Sequence, residues 1–291
     1  MPQNQVVIGR FAPSPTGPLH FGSLYTALAS FLEARSQQGL WRLRIDDIDT
    51  PRNIKGSGEL ILTTLERFGL HWDGSVAYQS RQQAVYDEML GRLASKQLVY
   101  PCVCSRKQLS ADIYPGSCKG RLIGVGRPHA LRVKTDTRTI SFDDGLQGRQ
   151  THHLAGQHGD FILKRKDRIM AYQFAVVIDD AEQQVNHVVR GFDLLDSTPK
   201  QIYLQQLLGL PIPRYMHVPV IVDSYGYKLS KQTQATAVDL TKPGAVMFEL
   251  LALLKQRPPP ELQDAPVAEL LEWAVLHWNP APLFQLQRIH R

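Results

Sequence analysis

The sequence predicts an α/β protein: a doubly wound, largely parallel sheet, interrupted by an inserted subdomain and followed by a short helical tail. Three observations carry this. A strand–loop–helix–strand pattern spans residues 6–45. The stretch 99–170 changes character, being turn-rich and holding all of the cysteines. Apolar runs of strand length then return over 171–240.

Val6-Val7-Ile8 is an apolar run short enough for a buried parallel strand. The Pro/Gly-rich segment Pro13 to Pro18 can extend neither a strand nor a helix, so it is a loop at the carboxyl end of that strand. Leu24, Leu28, Phe31 and Leu32 recur at helical spacing, predicting a helix from about His20 to Arg35. Trp41, Leu43 and Ile45 alternate with Arg42 and Arg44, predicting the next strand. The unit is βαβ, and its crossover is expected to be right-handed. Helical spacing recurs in Ser57 to Phe68 and Arg81 to Gln97, completing a first half-domain over residues 1–98. Within the insertion, Ala130 to Val133 and Thr139 to Phe142 read as strands. Over 171–240, Ala175 to Ile178 and Val188 to Arg190 read as buried strand or core segments, and Gln201 to Leu208 as a helix. Val220 to Val222 reads as a strand. Residues 241–291 read as a small helical tail around Val246 to Leu254 and Val267 to His277, broken at Pro258-Pro259-Pro260.

At 291 residues with 43% hydrophobic content the chain can bury a real core. It shows neither an apolar leader nor a run of membrane-spanning length, and three cysteines is no disulfide framework, so a cytoplasmic protein is expected. The net charge of +6 is concentrated in Lys119, Arg121, Arg127, Arg132, Lys134 and Arg138, and again in Lys164 to Arg168. Such patches attract polyphosphates or RNA, though solvated surface charge has the same composition. No obligate protein partner is evident.

Four groups of residues carry chemistry. Ligands of doubly wound sheets bind at the carboxyl ends of strands, beside helix N-termini that favour phosphate. The loop Pro13 to Pro18, with His20, Phe21 and Gly22 after it, sits at such a place. Alone it is equally an ordinary tight turn with a capping histidine. Lys228 and Lys231, three residues apart after a strand and a turn, can neutralise charge developing on a phosphate. Cys102, Cys104 and Cys118 suit a structural zinc, with Asp112, Tyr114 or His129 open as the fourth ligand. Arg10, Asp46 and Arg190, each near a strand end, supply cations for carboxylates and an anion for an ammonium, which points to an acidic amino acid. Each is also an ordinary ion-pair residue, and Asp46-Asp47-Ile48-Asp49 also suits Mg²⁺ or a helix cap.

Gly9 to Gly17, His20, Arg44 to Asp49, Val189 to Leu194 and the lysine loop 228–232 together resemble the catalytic domain of glutamyl-tRNA synthetases, in the class I aminoacyl-tRNA synthetase family. The resemblance runs over about residues 6–240 and implies a Rossmann-like domain with an inserted zinc-binding subdomain. Only 60 residues follow Lys231, too few for the family's large helical anticodon-binding region, so the chain is most similar to truncated paralogues within that family. This implies ATP-dependent glutamate activation without tRNA, then transfer to the queuosine base of tRNA(Asp). The remaining readings are a minimal enzyme charging a tRNA 3′ end, a catalytically silent RNA-binding or regulatory paralogue, and a zinc-stabilised nucleotide-binding protein without RNA. The resemblance assigns Arg10, Phe11, Ala12, Pro13, Ser14, Asp46, Tyr172 and Arg190 to glutamate. It assigns His20, Phe21, Gly22 and Lys231 to ATP-Mg²⁺, with His20, Lys228 and Lys231 catalytic, and Cys102, Cys104, Tyr114 and Cys118 to zinc. The family usually has Glu at position 46, a second histidine at Ser23, and Met and Ser at Leu229 and Gln232.

Overall fold

The computed structural model describes residues 6–105, 113–124, 126–226 and 238–291. The lysine loop 228–232 and Asp112 lie outside the described residues.

Strand β1 (Ile8–Phe11) leads through the proline-rich loop into helix α1 (Phe21–Arg35), which returns to β2 (Leu40–Ile45). β1 and β2 pair in parallel, Ile8 against Leu40 and Phe11 against Leu43, and β3 (Ala77–Tyr78) joins β2 in parallel. Helices α2 (Ser57–Arg67) and α3 (Gln83–Ser95) flank β3 in sequence. On the other side of β1 lies β9 (His187–Gly191): Asn186 N donates to Ile8 O at 3.0 Å, and Ile8 N donates to Asn186 Oδ1 at 2.8 Å. β9 pairs in parallel with β10 (Arg214–Val218), which pairs in parallel with β6 (Thr139–Asp144). β7 (Gly148–His153) completes this sheet, antiparallel to β6. The chain order thus reverses between β1 and β9, the topological switch point at which open α/β sheets bind ligands.

The two faces of the sheet carry separate cores. Leu24, Leu28 and Leu32 of α1 pack with Ile61 and Leu65 of α2. Met247 and Leu250 of α7 (Pro243–Leu253) and Leu270 of α8 (Val267–His277) join the same cluster. The tail is therefore part of the main core, and its apolar helical face explains why. On the other face Tyr86 and Leu93 of α3, Phe174 and Val177 of α5 (Tyr172–Glu182), and Ile202 and Leu204 of α6 (Thr198–Leu208) form the second core. Ala175 to Ile178 belongs to the buried helix α5; a four-residue apolar run does not distinguish a buried helix from a strand.

Between β4 (Val99–Cys102) and α5 the chain forms a small antiparallel sheet, β4-β5-β8, with β5 at Ala130–Val133 and β8 at Ile162–Lys164. β6 and β7 come from the same stretch of sequence but pair into the central sheet, and the short helix α4 (Leu154–Gln157) follows them. Strands β11 (Val220–Val222) and β12 (Arg288–His290) form a parallel pair that ties the end of the tail to the segment entering the lysine loop. No helix among the described residues is long and apolar enough to cross a membrane.

Candidate active site

A cavity of about 630 Å³ opens at the switch point, between the carboxyl ends of β1 and β9. Arg10, Phe11, Ala12, Pro13, Ser14, His20, Gly22, Tyr172 and Arg190 all line it, as do Ser23, Tyr25, Arg52 and Asp193. The loop wall is pinned by two backbone bonds, Asp46 N to Pro13 O and Ile54 N to Pro15 O, both 2.9 Å. Gly17, at φ 127°, holds a turn conformation that L side chains rarely adopt.

His20 caps α1: its Nδ1 accepts from Ser23 N at 3.2 Å, while Nε2 lies 2.9 Å from Ser23 Oγ. With Nδ1 accepting, the neutral ring carries its proton on Nε2, where it faces Ser23 Oγ. A phosphate oxygen would take that proton in place of Ser23, the residue at the second-histidine position. Phe21 does not line the cavity; its ring is buried, with the Arg291 guanidinium 3.8 Å from its centroid.

Both arginines are almost fully buried, Arg10 4% and Arg190 3% exposed. Arg190 is held on every side. Nε donates to His217 Nε2 at 3.0 Å, Nη2 to Thr198 Oγ1 at 2.8 Å and Nη1 to Tyr172 Oη at 3.4 Å, above the Tyr215 ring. Arg10 Nε donates to Asp180 Oδ1 at 3.2 Å. That carboxylate also takes Arg44 Nη1 at 2.8 Å, and burial, which pushes Asp180 up, is outweighed by the two arginines, which hold it below the usual carboxylate range.

Asp46 does not line the cavity. Its Oδ1 accepts from Arg44 Nε at 2.8 Å, and burial raises its pKa to about 6 despite that partner, with a smaller upward push from the nearby charges of Asp179 and Asp180. Arg44 meets three carboxylates, at 2.8, 2.8 and 3.7 Å, while Tyr86 Oη and Gln79 Nε2 donate to Asp179, each at 2.7 Å. Arg44, Asp179, Asp180, Thr198 and His217 are residues that local sequence reading missed. The signal was weak: charged side chains inside strand β2 or the apolar helix α5, where a buried charge requires a partner.

In the inserted subdomain the thiols of Cys102, Cys104 and Cys118 lie within 4.8 Å of one another. Cys104 Sγ is 3.5 Å from Cys118 Sγ, and Tyr114 Oη is 3.4 Å from Cys102 Sγ and 3.9 Å from Cys104 Sγ. Three sulfurs and one phenol oxygen around one point suit a tetrahedral metal ion. Burial pushes the Cys118 thiol up, but hydrogen bonds from Val103, Tyr114, Cys104 and Cys102 outweigh it and bring it to about 7, favouring the thiolate a metal needs. His129 is exposed and bonded to Arg127 O at 2.9 Å, outside this cluster. The Arg132 guanidinium sits 3.8 Å from the Tyr114 ring centroid.

The basic clusters separate into two kinds. Arg132 is buried, Lys119 pairs with Asp160 at 3.6 Å, Arg138 with Asp136 at 3.0 Å and Lys164 with Asp87 at 3.0 Å. Arg121, Arg127 and Arg168 are exposed.

Fold and site define an α/β enzyme of the nucleotide-binding, class I synthetase type. The sequence pattern of the family described as "tRNA synthetases class I (E and Q), catalytic domain" matches residues 6–113 and 122–255, and the chain belongs to that family. It is 48% identical over 278 residues to a glutamyl-Q tRNA(Asp) synthetase of Ectopseudomonas mendocina, covering 95% of this chain and 94% of that protein. It is 50% identical over 282 residues to a protein of the same name from Neisseria meningitidis, covering 93% and 95%. Among solved structures it is similar to a glutamate tRNA ligase from Elizabethkingia meningosepticum in complex with its amino acid: TM-score 0.81, 25% identity, 98% of this chain and 67% of that one.

Proposed function

We propose that the protein activates L-glutamate with ATP-Mg²⁺, without tRNA, and transfers the glutamyl group to the queuosine base in the anticodon of tRNA(Asp). The observation that carries this is the pair of buried arginines, Arg10 and Arg190, converging on one cavity at the switch point with the His20 helix N-terminus beside it. The names of the relatives support the acceptor.

In activation a glutamate carboxylate oxygen attacks the α-phosphorus, the bond to the bridging oxygen breaks, and pyrophosphate leaves. Arg10, Arg190, Tyr172 and the wall Phe11 to Ser14 hold glutamate; Asp46, bound to Arg44, supports that wall through its backbone bond to Pro13. His20 and the Gly22 backbone take phosphate oxygens, and Lys228 and Lys231 neutralise the charge passing to pyrophosphate. In transfer a hydroxyl of the queuosine cyclopentene diol attacks the acyl carbon and AMP leaves. That vicinal cis-diol resembles the 2′,3′-diol of a terminal ribose, so a site shaped for one suits the other. Arg121, Arg127 and Arg168, which are exposed, contact RNA phosphates in this reading.

The test is to supply ATP, labelled glutamate and either queuosine-bearing or queuosine-free tRNA(Asp), then map the label after nuclease digestion. Glutamate-dependent ATP–pyrophosphate exchange is expected with protein alone, and label on the anticodon nucleotide only. Label on the 3′-terminal adenosine identifies a minimal glutamyl-tRNA synthetase instead. Exchange without any acyl transfer leaves a nucleotide-binding protein that does not act on RNA.

Cys102, Cys104, Tyr114 and Cys118 hold one structural zinc in this reading. Purified protein is expected to contain about one zinc per chain. Cys118→Ser loses it and loosens the β4-β5-β8 sheet, while the central sheet stays folded. Metal analysis by mass spectrometry checks this, and full occupancy in Cys118→Ser removes that cysteine from the ligand set.

A further inference from the structure

Behind the cavity lies a buried chain of polar groups that the reaction scheme does not use. His217 and Arg190 face each other in register across the parallel strands β10 and β9. His217 is wholly buried. Its Nε2 meets Arg190 Nε at 3.0 Å, and its Nδ1 meets Asp144 Oδ2 at 2.5 Å. The other oxygen, Asp144 Oδ1, accepts three backbone donors: Leu146 N at 3.0 Å, Gln147 N at 2.9 Å and His217 N at 3.1 Å.

We propose that His217 and Asp144 are positioning residues for the substrate: Asp144 fixes the tautomer of His217, and His217 sets the guanidinium of Arg190 in the plane that receives the amino-acid carboxylate. This rests on Arg190 holding glutamate.

Arg190 Nε always carries a hydrogen, so His217 Nε2 must accept. The ring proton then sits on Nδ1 and is given to Asp144, a carboxylate that only accepts. The tautomer is thus dictated from both ends. Burial, the largest influence, lowers the pKa of His217 against the pull of Asp144, so the ring is neutral at neutral pH. The other groups facing the ring are Thr198 Oγ1, at 3.2 Å from Nε2, the Tyr215 ring stacked at 6.2 Å, and the more remote charge of Asp193. With Nε taken by His217 and Nη2 by Thr198, Arg190 rotates only by breaking buried bonds. Its remaining guanidinium edge is the one shared with Tyr172, another residue of the cavity wall.

Asp144→Asn tests this with little change of shape. The backbone donors keep the amide oxygen at the Oδ1 position, so the amide NH₂ faces His217 Nδ1. The ring must then accept at Nδ1 and carry its proton on Nε2, directly against Arg190 Nε–H. A reversed tautomer of this kind disables a histidine while leaving geometry intact.

The experiment measures ATP–pyrophosphate exchange for the full chain at varied glutamate and at varied ATP, with melting temperatures as control. Alongside it, ¹⁵N-imidazole NMR reads the tautomer, with His217 assigned from its absence in His217→Gln. In the wild type the proton is expected on Nδ1. In Asp144→Asn it moves to Nε2, and KM for glutamate rises roughly 10- to 100-fold with KM for ATP little changed. His217→Leu shows the same selective rise; His217→Gln, whose amide oxygen can still accept from Arg190, recovers most of it. A folded Asp144→Asn protein with wild-type KM for glutamate overturns the proposal. Should Asp144→Asn not fold, equal KM values for His217→Leu and His217→Gln overturn it, as does a wild-type proton on Nε2. Failure of the wild type to exchange with glutamate strikes the reading of the site, and the NMR result still decides the tautomer.

Discussion

Replacing Arg190 with leucine is expected to lower kcat/KM for glutamate activation by a factor of about 10² to 10³, mostly through KM. Removing one partner of a buried, hydrogen-bonded charge pair typically costs about 2–5 kcal/mol, and in the proposed site Arg190 is one of the two cations that meet the substrate's carboxylates. Arg190→Lys is expected to be nearly as damaging. Arg190 uses Nε, Nη1 and Nη2 on three different partners, and a lysine ammonium has no fork with which to reproduce them. Steady-state exchange at varied glutamate measures the effect, with ATP saturating. A Leu variant within tenfold of wild type would show that Arg10 and Tyr172 suffice and that Arg190 is a structural arginine.

The same arginine shows what the sequence disclosed and what it withheld. Arg10 and Arg190 were legible because strand ends at a switch point are where a doubly wound sheet presents side chains to ligands. The helix after the proline-rich loop was legible from its apolar spacing, and α1 begins one residue after its histidine cap. Arg44 was not legible. Alternation in β2 puts it beside Arg42 in a pattern that reads as polar, yet it is 1% exposed, inside a cage of three aspartates. Two of those, Asp179 and Asp180, come from α5, more than 130 residues later in the chain. No local window holds both halves of such a pair, and period-based reading assigns charge to the surface. Asp46 shows the same limit: its position beside the loop suggested an ammonium ligand, and only the structure shows its Oδ1 bonded to the buried arginine two residues earlier. His217 is the clearest case. A lone histidine on an apolar strand has no local signature, and only the pairing of β9 with β10 brings it to Arg190.

Lys231→Ala is expected to lower the rate of glutamate activation on the order of 10²- to 10³-fold while leaving KM for glutamate within a few-fold of wild type. In the proposed site glutamate is held by groups at the ends of β1 and β9, Arg10 and Arg190 among them, and not by Lys231, so its ground-state binding is expected to survive the substitution. Charge on the bond between the α- and β-phosphates grows only as that bond breaks, and a cation that meets it there stabilises the transition state more than bound ATP. Lys231→Arg keeps the charge but changes its reach and is expected to fall between wild type and Ala. The two lysines separate further on ATP. An interaction made equally with ground and transition state appears in KM for ATP, and one made only as pyrophosphate departs appears in kcat. Lys231→Ala is therefore expected to raise KM for ATP more than Lys228→Ala does, since the resemblance assigns ATP binding to Lys231 and a catalytic role to both lysines. Pre-steady-state measurement of adenylate formation, which removes product release from the rate, is the deciding experiment. An unchanged single-turnover rate in Lys231→Ala would assign Lys231 to the solvated surface of the loop and leave His20 and Lys228 as the catalytic donors at the phosphates.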